Sequence, residues 1–286
     1  MFNFKNIFKK KKTALEPPLT TEELLFWKKN GYLILKKFFP HEALKNYSDD
    51  LDEIIRNRGE KARNITIDVL EGSLAGKRMS LRDAPDEAIT SAHKINDLFL
   101  ESEHCRNLNL NKRLSLILST LLKSDPLVIN SLSFRKGSQQ PYHFDTYYMP
   151  PPVDNMMVVS SICLENQSLD TGPISYYPGS HLIPPYKFSH GGIHATNEEM
   201  PQATAYIQEK IAAYNLQPET FLGEAGDVFI WHAQLYHGGT PIKNHIKTRK
   251  TLVTHYWRTS DVDKHRVATT NDGSGSYLLR QHQKVT

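Results

Sequence analysis

The chain has 286 residues, 39% hydrophobic and 23% charged, which is enough apolar material for one large folded domain and too much for general disorder. A net charge of +4 is too mild for a nucleic-acid-binding surface, and no run of about 18 apolar residues is present to cross a membrane. Its two cysteines, Cys105 and Cys163, lie far apart without zinc-site spacing, which fits a reducing, cytoplasmic setting.

The first twelve residues, MFNFKNIFKKKK, place Phe4, Ile7 and Phe8 on one face of a helix with lysines beside it. That pattern suits peripheral contact with an anionic surface, such as the inner face of a membrane, and a plain basic tail is the competing reading. Residues 1–15 are therefore set apart as a tail, and residues 16–286 as a single domain. Thr20 and Glu23 form a capping box for a short helix that Gly31 ends. A strand is expected over 32–39. Pro40 opens a helix with Leu44, Leu51, Ile54 and Ile55 at helical spacing and Gly59 as its stop. More helix is expected from about Ile95 to Leu122, divided near Asn109.

From Pro126 the texture changes. LVINSLSFR, MMVVSSICL, ISYYP, DVFIWH and TLVTHYWR are short, rich in β-branched and aromatic residues, and bounded by turn formers. An insertion over 187–218 carries one helix, MPQATAYIQEKIAAY. The expected fold class is α+β: mainly β, with a helical N-terminal part and a jelly-roll core.

Within QQPYHFDTYYMPPP, His143 and Asp145 stand two apart, so on a strand both point to one face. Such a pair is either a structural hydrogen-bonded couple or two cis ligands of a metal ion. A second histidine would complete the facial triad that non-haem Fe(II) sites use. GDVFIWHAQLYHGGTP offers His232 and His237. His237, at a strand end beside glycines, is the better placed, while His232 beside Trp231 reads as a packed core residue. Twelve residues on, Arg249 opens an apolar strand, and a guanidinium aimed into a β-core needs an anionic partner such as a carboxylate.

The ordered motifs HFD, DTGPISYYPGSH, GDVFIWHAQLYHGG and Arg249 followed by TLVTHYW resemble the phytanoyl-CoA dioxygenase family of Fe(II)- and 2-oxoglutarate-dependent oxygenases, over about residues 32–257. The resemblance implies a double-stranded β-helix, with Fe(II), 2-oxoglutarate and O2 as the cofactor set. It makes His143, Asp145 and His237 the catalytic iron ligands and Arg249 the partner of the distal carboxylate. Thr251, Asn130 and Ser161 are implied as further co-substrate contacts, although Ser161 stands where several relatives carry tryptophan and Gly239 where some carry serine. A carboxylate at Asp145 implies hydroxylation rather than halogenation. YYPGSH is similar to the family's Pro-Gly-Ser-His signature and is read as a turn, with a positive φ at Gly179 and His181 bonding locally.

Tyr147, Tyr148 and Arg135 are candidate substrate contacts, with rim packing and surface charge as the plainer alternative. Lys77, Arg78 and Arg82 are read either as an anionic-substrate mouth or as a solvated loop. The substrate expected is a small molecule or a glycolipid, anionic in character; one branch the chain resembles hydroxylates the acidic Kdo sugar of lipopolysaccharide. No nucleic acid is expected as a partner. The alternative function is a cupin-like metal-binding β-core without 2-oxoglutarate turnover, which would not need Arg249.

Overall fold

The computed structural model describes residues 17–270 and 273–279. The expected basic tail, residues 1–15, lies outside the described residues. In chain order the elements are α1 (Thr21–Asn30), β1 (Tyr32–Leu35), α2 (His41–Arg56), α3 (Arg58–Lys61), β2 (Thr66–Val69), β3 (Arg78–Ser80), α4 (Asp86–Thr90) and β4 (His93–Asn96). They continue with α5 (Glu103–Asn109), α6 (Lys112–Leu122), β5 (Pro126–Phe134), β6 (Val158–Cys163), β7 (Ile174–Tyr176) and α7 (Met200–Ala213). The last are β8 (Glu219–Thr220), β9 (Val228–His232), β10 (His237–Gly239), β11 (Thr251–Arg258), β12 (Val267–Thr269) and β13 (Ser276–Leu278).

Two sheets carry the architecture. The larger runs β1-β9-β6-β11-β5-β4-β2-β3, with β13 alongside β5, and the smaller runs β10-β7-β8. Pairing is antiparallel except between β13 and β5. Strand alternation sorts the large sheet's side chains into two layers. Val158, Ile162, Val228, Ile230, Leu252 and Tyr256 face outward and pack with α2, α5 and α6. Val159, Cys163, Phe229, Trp231 and Val253 face inward and meet Ile174 and Tyr176 of the smaller sheet. The result is a mostly antiparallel jelly roll with helices on one face.

Several expected elements differ. The N-terminal part is mixed, because β1 to β4 lie there and extend the large sheet. The helix expected from Ile95 begins only at Glu103, since Ile95 pairs with Ile67 in β4. Gly59 does not stop α2; Asn57 caps it and α3 continues through the glycine. The capping box at Thr20 and Glu23 is present, and Gly31 closes α1 in the left-handed region at φ 77. Among the described residues no helix is long and apolar enough to cross a membrane.

A β-bulge in β5 prepares the site. His255 pairs with Asn130 and Tyr256 with Val128, which leaves Ile129 as the extra residue. The parity of β5 changes there, so that Ile129, Asn130 and Leu132 all serve the inner face.

Asp227 locks the turn into β9. Its fully buried carboxylate pairs with Lys36 and accepts from the amides of Lys37 and Glu224, each at 2.8 Å. Burial pushes this carboxyl up, but Lys36 and the two amides more than offset it and hold it below its usual value. Its contribution is therefore present above the unfolded value of about 4 and is lost as pH falls through the lower folded value. Asp227→Ala, leaving the amides without an acceptor, is expected to cost about 2–3 kcal/mol. Thermal unfolding at neutral pH should show a midpoint lowered by roughly 3–5 °C, with a smaller difference in acid.

Candidate metal centre

The site begins with one backbone pair. His143 N–H donates to the His237 carbonyl at 2.8 Å, and His237 N–H donates back to the His143 carbonyl at 3.2 Å. Two residues that exchange both hydrogen bonds across an antiparallel ladder put their side chains on the same face. The imidazole centroids accordingly lie 4.5 Å apart. Gly238 makes the approach close: a Cβ there would meet the backbone of Gln140 and Tyr142 at 3.0 Å.

The expected strand at His143–Asp145 is reduced to that single bridge, and Asp145 opens a 3-10 turn over Asp145–Tyr147. Extended backbone at Phe144 still sends Asp145 to the side His143 faces. Nε2 of His143 stands 3.5 Å from Asp145 Oδ1, and Nε2 of His237 stands 3.7 Å from it. One ligand atom from each of these three buried residues lies within 4.8 Å of the other two.

The surroundings prepare each donor. His143 Nδ1 bonds the Pro141 carbonyl at 2.8 Å and His237 Nδ1 bonds the Leu235 carbonyl at 2.9 Å, so both rings turn Nε2 inward. Trp231 Nε1–H donates to Asp145 Oδ2 at 2.8 Å, which leaves Oδ1 as the inward oxygen. Burial pulls the His237 imidazole down to about 4, against the opposing pull of Asp145. Burial pushes the Asp145 carboxyl up, yet His237, His143 and His255 more than offset it and hold it well below the carboxylate range. At neutral pH His237 is thus an uncharged lone-pair donor and Asp145 an anion. Two imidazoles and one carboxylate converging with open space beside them suit a ferrous ion.

The second cluster lies on β11, on Arg249 two residues before it, and on β6. Arg249 is 2% exposed, and its Nε and Nη1 have no hydrogen-bond partner among the described residues. Burial lowers it only to about 10, so it remains a cation. The hydroxyls of Thr251 and Ser161 are likewise buried and without a partner there. Residues 249, 251, 253 and 255 share the inner face by alternation, as does Ser161, which pairs opposite Val253. A buried cation beside two orphan hydroxyls fits a carboxylate ligand.

Other expected residues fall elsewhere. Asn130 lines a cavity of about 390 Å³ with His143 and Asp145, and its amide also donates to Asp97 at 2.8 Å. Tyr148 lines the same cavity, its ring edge-on to His143 at 5.3 Å. Tyr147 does not reach it. The 3-10 turn breaks strand alternation, and Tyr147 is buried against Phe144 and Phe188 with its hydroxyl accepting from Tyr186 N–H. Arg135 pairs with Asp52 at 3.3 Å and lines neither cavity beside His143. Arg78 does line the 390 Å³ cavity, whereas Lys77 and Arg82 are exposed outside it. Gly179 has φ 82 as expected, but His181 bonds the distant Lys28 carbonyl rather than a local group.

Three contributors escaped the sequence reading. His255 Nε2 stands 3.5 Å from Asp145 Oδ1, Trp231 holds the other oxygen, and Lys94 joins Arg78 in the cavity wall, both paired with Asp68. Alternation from Arg249 along β11 was the available signal for His255.

The sequence model of the family described as phytanoyl-CoA dioxygenase (PhyH) matches residues 27–251. Peroxisomal phytanoyl-CoA dioxygenase of Homo sapiens is 23% identical over 248 residues, covering 83% of this chain and 68% of that protein. The Bos taurus protein is 22% identical over the same coverage. Among solved structures, EctD from S. alaskensis with bound Fe superposes with a TM-score of 0.62 at 14% identity, covering 87% of this chain and 80% of that one. The non-heme alpha ketoglutarate dependent carbocyclase SnoK superposes with 0.61 at 16% identity, covering 84% of each chain.

Trp231→Phe keeps the ring and removes the hydrogen bond to Asp145. It is expected to weaken Mn(II) or Fe(II) binding by about 10- to 100-fold in a calorimetric titration, with the fold retained by circular dichroism.

Proposed function

The chain belongs to the phytanoyl-CoA dioxygenase family of 2-oxoglutarate-dependent dioxygenases, and from that premise we propose the division of labour among its residues. His143, Asp145 and His237 hold Fe(II). Arg249 receives the distal carboxylate of 2-oxoglutarate, with Thr251 and Ser161 hydrogen-bonding beside it. When bound, iron, 2-oxoglutarate and O2 supply the oxidation: the keto acid loses CO2 to become succinate, and one oxygen atom goes to a substrate carbon.

The observation that carries this reading is the pairing of two sites in one barrel. The first has the charge and donor set for a ferrous ion. The second buries a guanidinium without a partner among the described residues, a costly arrangement unless an anion completes it. A cupin-like metal module without co-substrate would have no use for that second site. Asp145 occupies the carboxylate position, which favours hydroxylation of the substrate.

The chain's own residues set the conditions. Trp231 and the two carbonyls at Nδ1 fix the ligand orientations, so little reorganisation is needed when metal enters. Asn130, Arg78 and Lys94 form a polar wall above His143 and Asp145. For an acidic lipopolysaccharide sugar, these two cations are the available partners, but Asp68 already pairs with both. A small-molecule substrate is the reading favoured by the larger cavity that also borders His143 and has no Lys, Arg, Asp or Glu in its lining.

Succinate release from 2-oxoglutarate, with Fe(II) and O2, tests the assignment even without the true substrate, through uncoupled turnover. Wild type should form succinate. Arg249→Ala should raise the KM for 2-oxoglutarate at least about 30-fold, with Arg249→Lys recovering part of the loss because the charge is kept and the fork is not. Equal KM values for wild type and Arg249→Ala would sink the co-substrate assignment.

A further inference from the structure

A cavity of about 1020 Å³ opens on the side of His143 facing α7, with the His143 ring in its wall. Its size matches or exceeds a typical pocket for a drug-sized ligand, about 300–1,000 Å³, and is far more than a small keto acid needs. One wall is aromatic. Tyr142 stacks on Tyr236 at 5.3 Å and 29°, and Tyr177 meets Tyr142 at 5.3 Å. The turn YYPGSH builds this shelf: Tyr177 N–H donates to the Tyr236 carbonyl at 3.0 Å, and Tyr236 N–H donates to Ser180 Oγ at 2.8 Å.

The facing wall is the helix of the insertion. Ala203 and Ile207 point into a core with Phe188, while Thr204, Ala205 and Gln208 line the cavity. No lysine, arginine, aspartate or glutamate is among the residues lining it. The adjoining cavity of about 390 Å³ is the reverse, with Arg78 and Lys94 in its wall. Gln140, His143 and Tyr148 line both cavities.

We infer that this cavity holds the body of the substrate and selects a neutral, ring-bearing molecule with hydroxyl or carbonyl groups. The inference rests on the metal assignment above, since His143 is what connects the cavity to the chemistry. A charged group among these side chains would lose water without gaining a counter-charge, so ions are disfavoured. Tyrosine faces reward flat or ring-shaped surfaces, and the amide of Gln208 and hydroxyl of Thr204 meet polar substituents. A long flexible chain would leave those polar groups without partners.

The test uses full-length protein loaded with Mn(II) and a set of neutral ring compounds, each paired with its carboxylate analogue, such as p-nitrophenyl glucoside and p-nitrophenyl glucuronide. Saturation-transfer NMR reads binding, and line broadening by Mn(II) places the probe near the centre. Neutral members should bind about tenfold more tightly than their carboxylates and be broadened. Ala205→Trp, on the exposed helix, should abolish that binding while leaving 2-oxoglutarate affinity unchanged. Thr204→Lys should reverse the preference toward carboxylates. Carboxylates binding as well as neutral members in the wild type, or neutral binding that survives Ala205→Trp, would overturn the inference. Neutral probes that behave as expected in a protein that fails to bind 2-oxoglutarate would support the cavity and count against the co-substrate assignment alone.

Discussion

Two imidazoles stand side by side in this protein because their own backbones hydrogen-bond to each other. The exchange of N–H and carbonyl between His143 and His237 joins the segment after β5 to the smaller sheet, and everything chemical is measured from that pair. Asp145 comes with His143 through two residues of extended chain. Trp231, one strand away on β9, reaches Asp145 from the inner core layer. A side-chain contact could be remade in several rotamers, but a backbone pair fixes the positions of both Cα atoms. The metal donors are thus preorganised by sheet formation itself, and the glycines at 238 and 239 are what let the chain approach closely enough for it.

From this pair outward, the barrel separates electrostatic environments that would otherwise interfere. Arg249 sits deep between the sheets, Arg78 and Lys94 sit at one mouth, and the tyrosine shelf under α7 contains no charge. The regions offered to an anion and to a neutral ring therefore differ in chemistry although they share His143. Tyr148, edge-on to His143 and half exposed, contributes with Gln140 and His143 to the walls of both cavities. Its neighbour Tyr147 has the opposite part to play. By burying its ring among Phe144 and Phe188 and accepting from Tyr186, it anchors the insertion that carries α7.

What the sequence could convey divides along the same lines. His143, Asp145, His237 and Arg249 stood out as candidates through spacing and the company of glycines or apolar strands, while the resemblance to the family, not the spacing, implied their roles; the structure brings the first three together. Strands β5, β6, β9 and β11 were legible because they are β-branched and aromatic. Strands β2 to β4 were not, because they are three or four residues long and carry Asp68, Arg78 and Lys94, whose mutual ion pairs replace the apolar signal. Tyr147 and Tyr148 looked alike until the 3-10 turn separated them. His255 was hidden in an apparently apolar run, and the inward turn of Asn130 depends on a bulge at Ile129 that no local pattern announces.

The orphan groups deserve a thermodynamic reading as well as a functional one. Arg249, Thr251 and Ser161 bury donors and hydroxyls that find no partner among the described residues, which runs against the general rule of polar satisfaction. An apolar trio of the same shape would make a more stable barrel, so the arrangement holds stability in reserve for whatever completes it. A dicarboxylate entering the barrel would gain both its own contacts and the relief of that desolvation. Selectivity follows from the same source: a ligand lacking the distal carboxylate leaves a buried guanidinium unpaired, and the penalty falls on the wrong ligand rather than on the right one. The fold tolerates this weakness because apolar packing compensates. On the outer face, helices α2, α5 and α6 cover the large sheet with a large apolar cluster. Tyr47, Asn109 and Thr254 are hydrogen-bonded within it, although the Ser115 and Ser131 hydroxyls have no hydrogen-bond partner among the described residues. Apolar packing on both faces of the large sheet, the helix-covered cluster outside and the Phe229–Trp231 cluster inside, offsets the cost of leaving Arg249 incomplete until a ligand arrives.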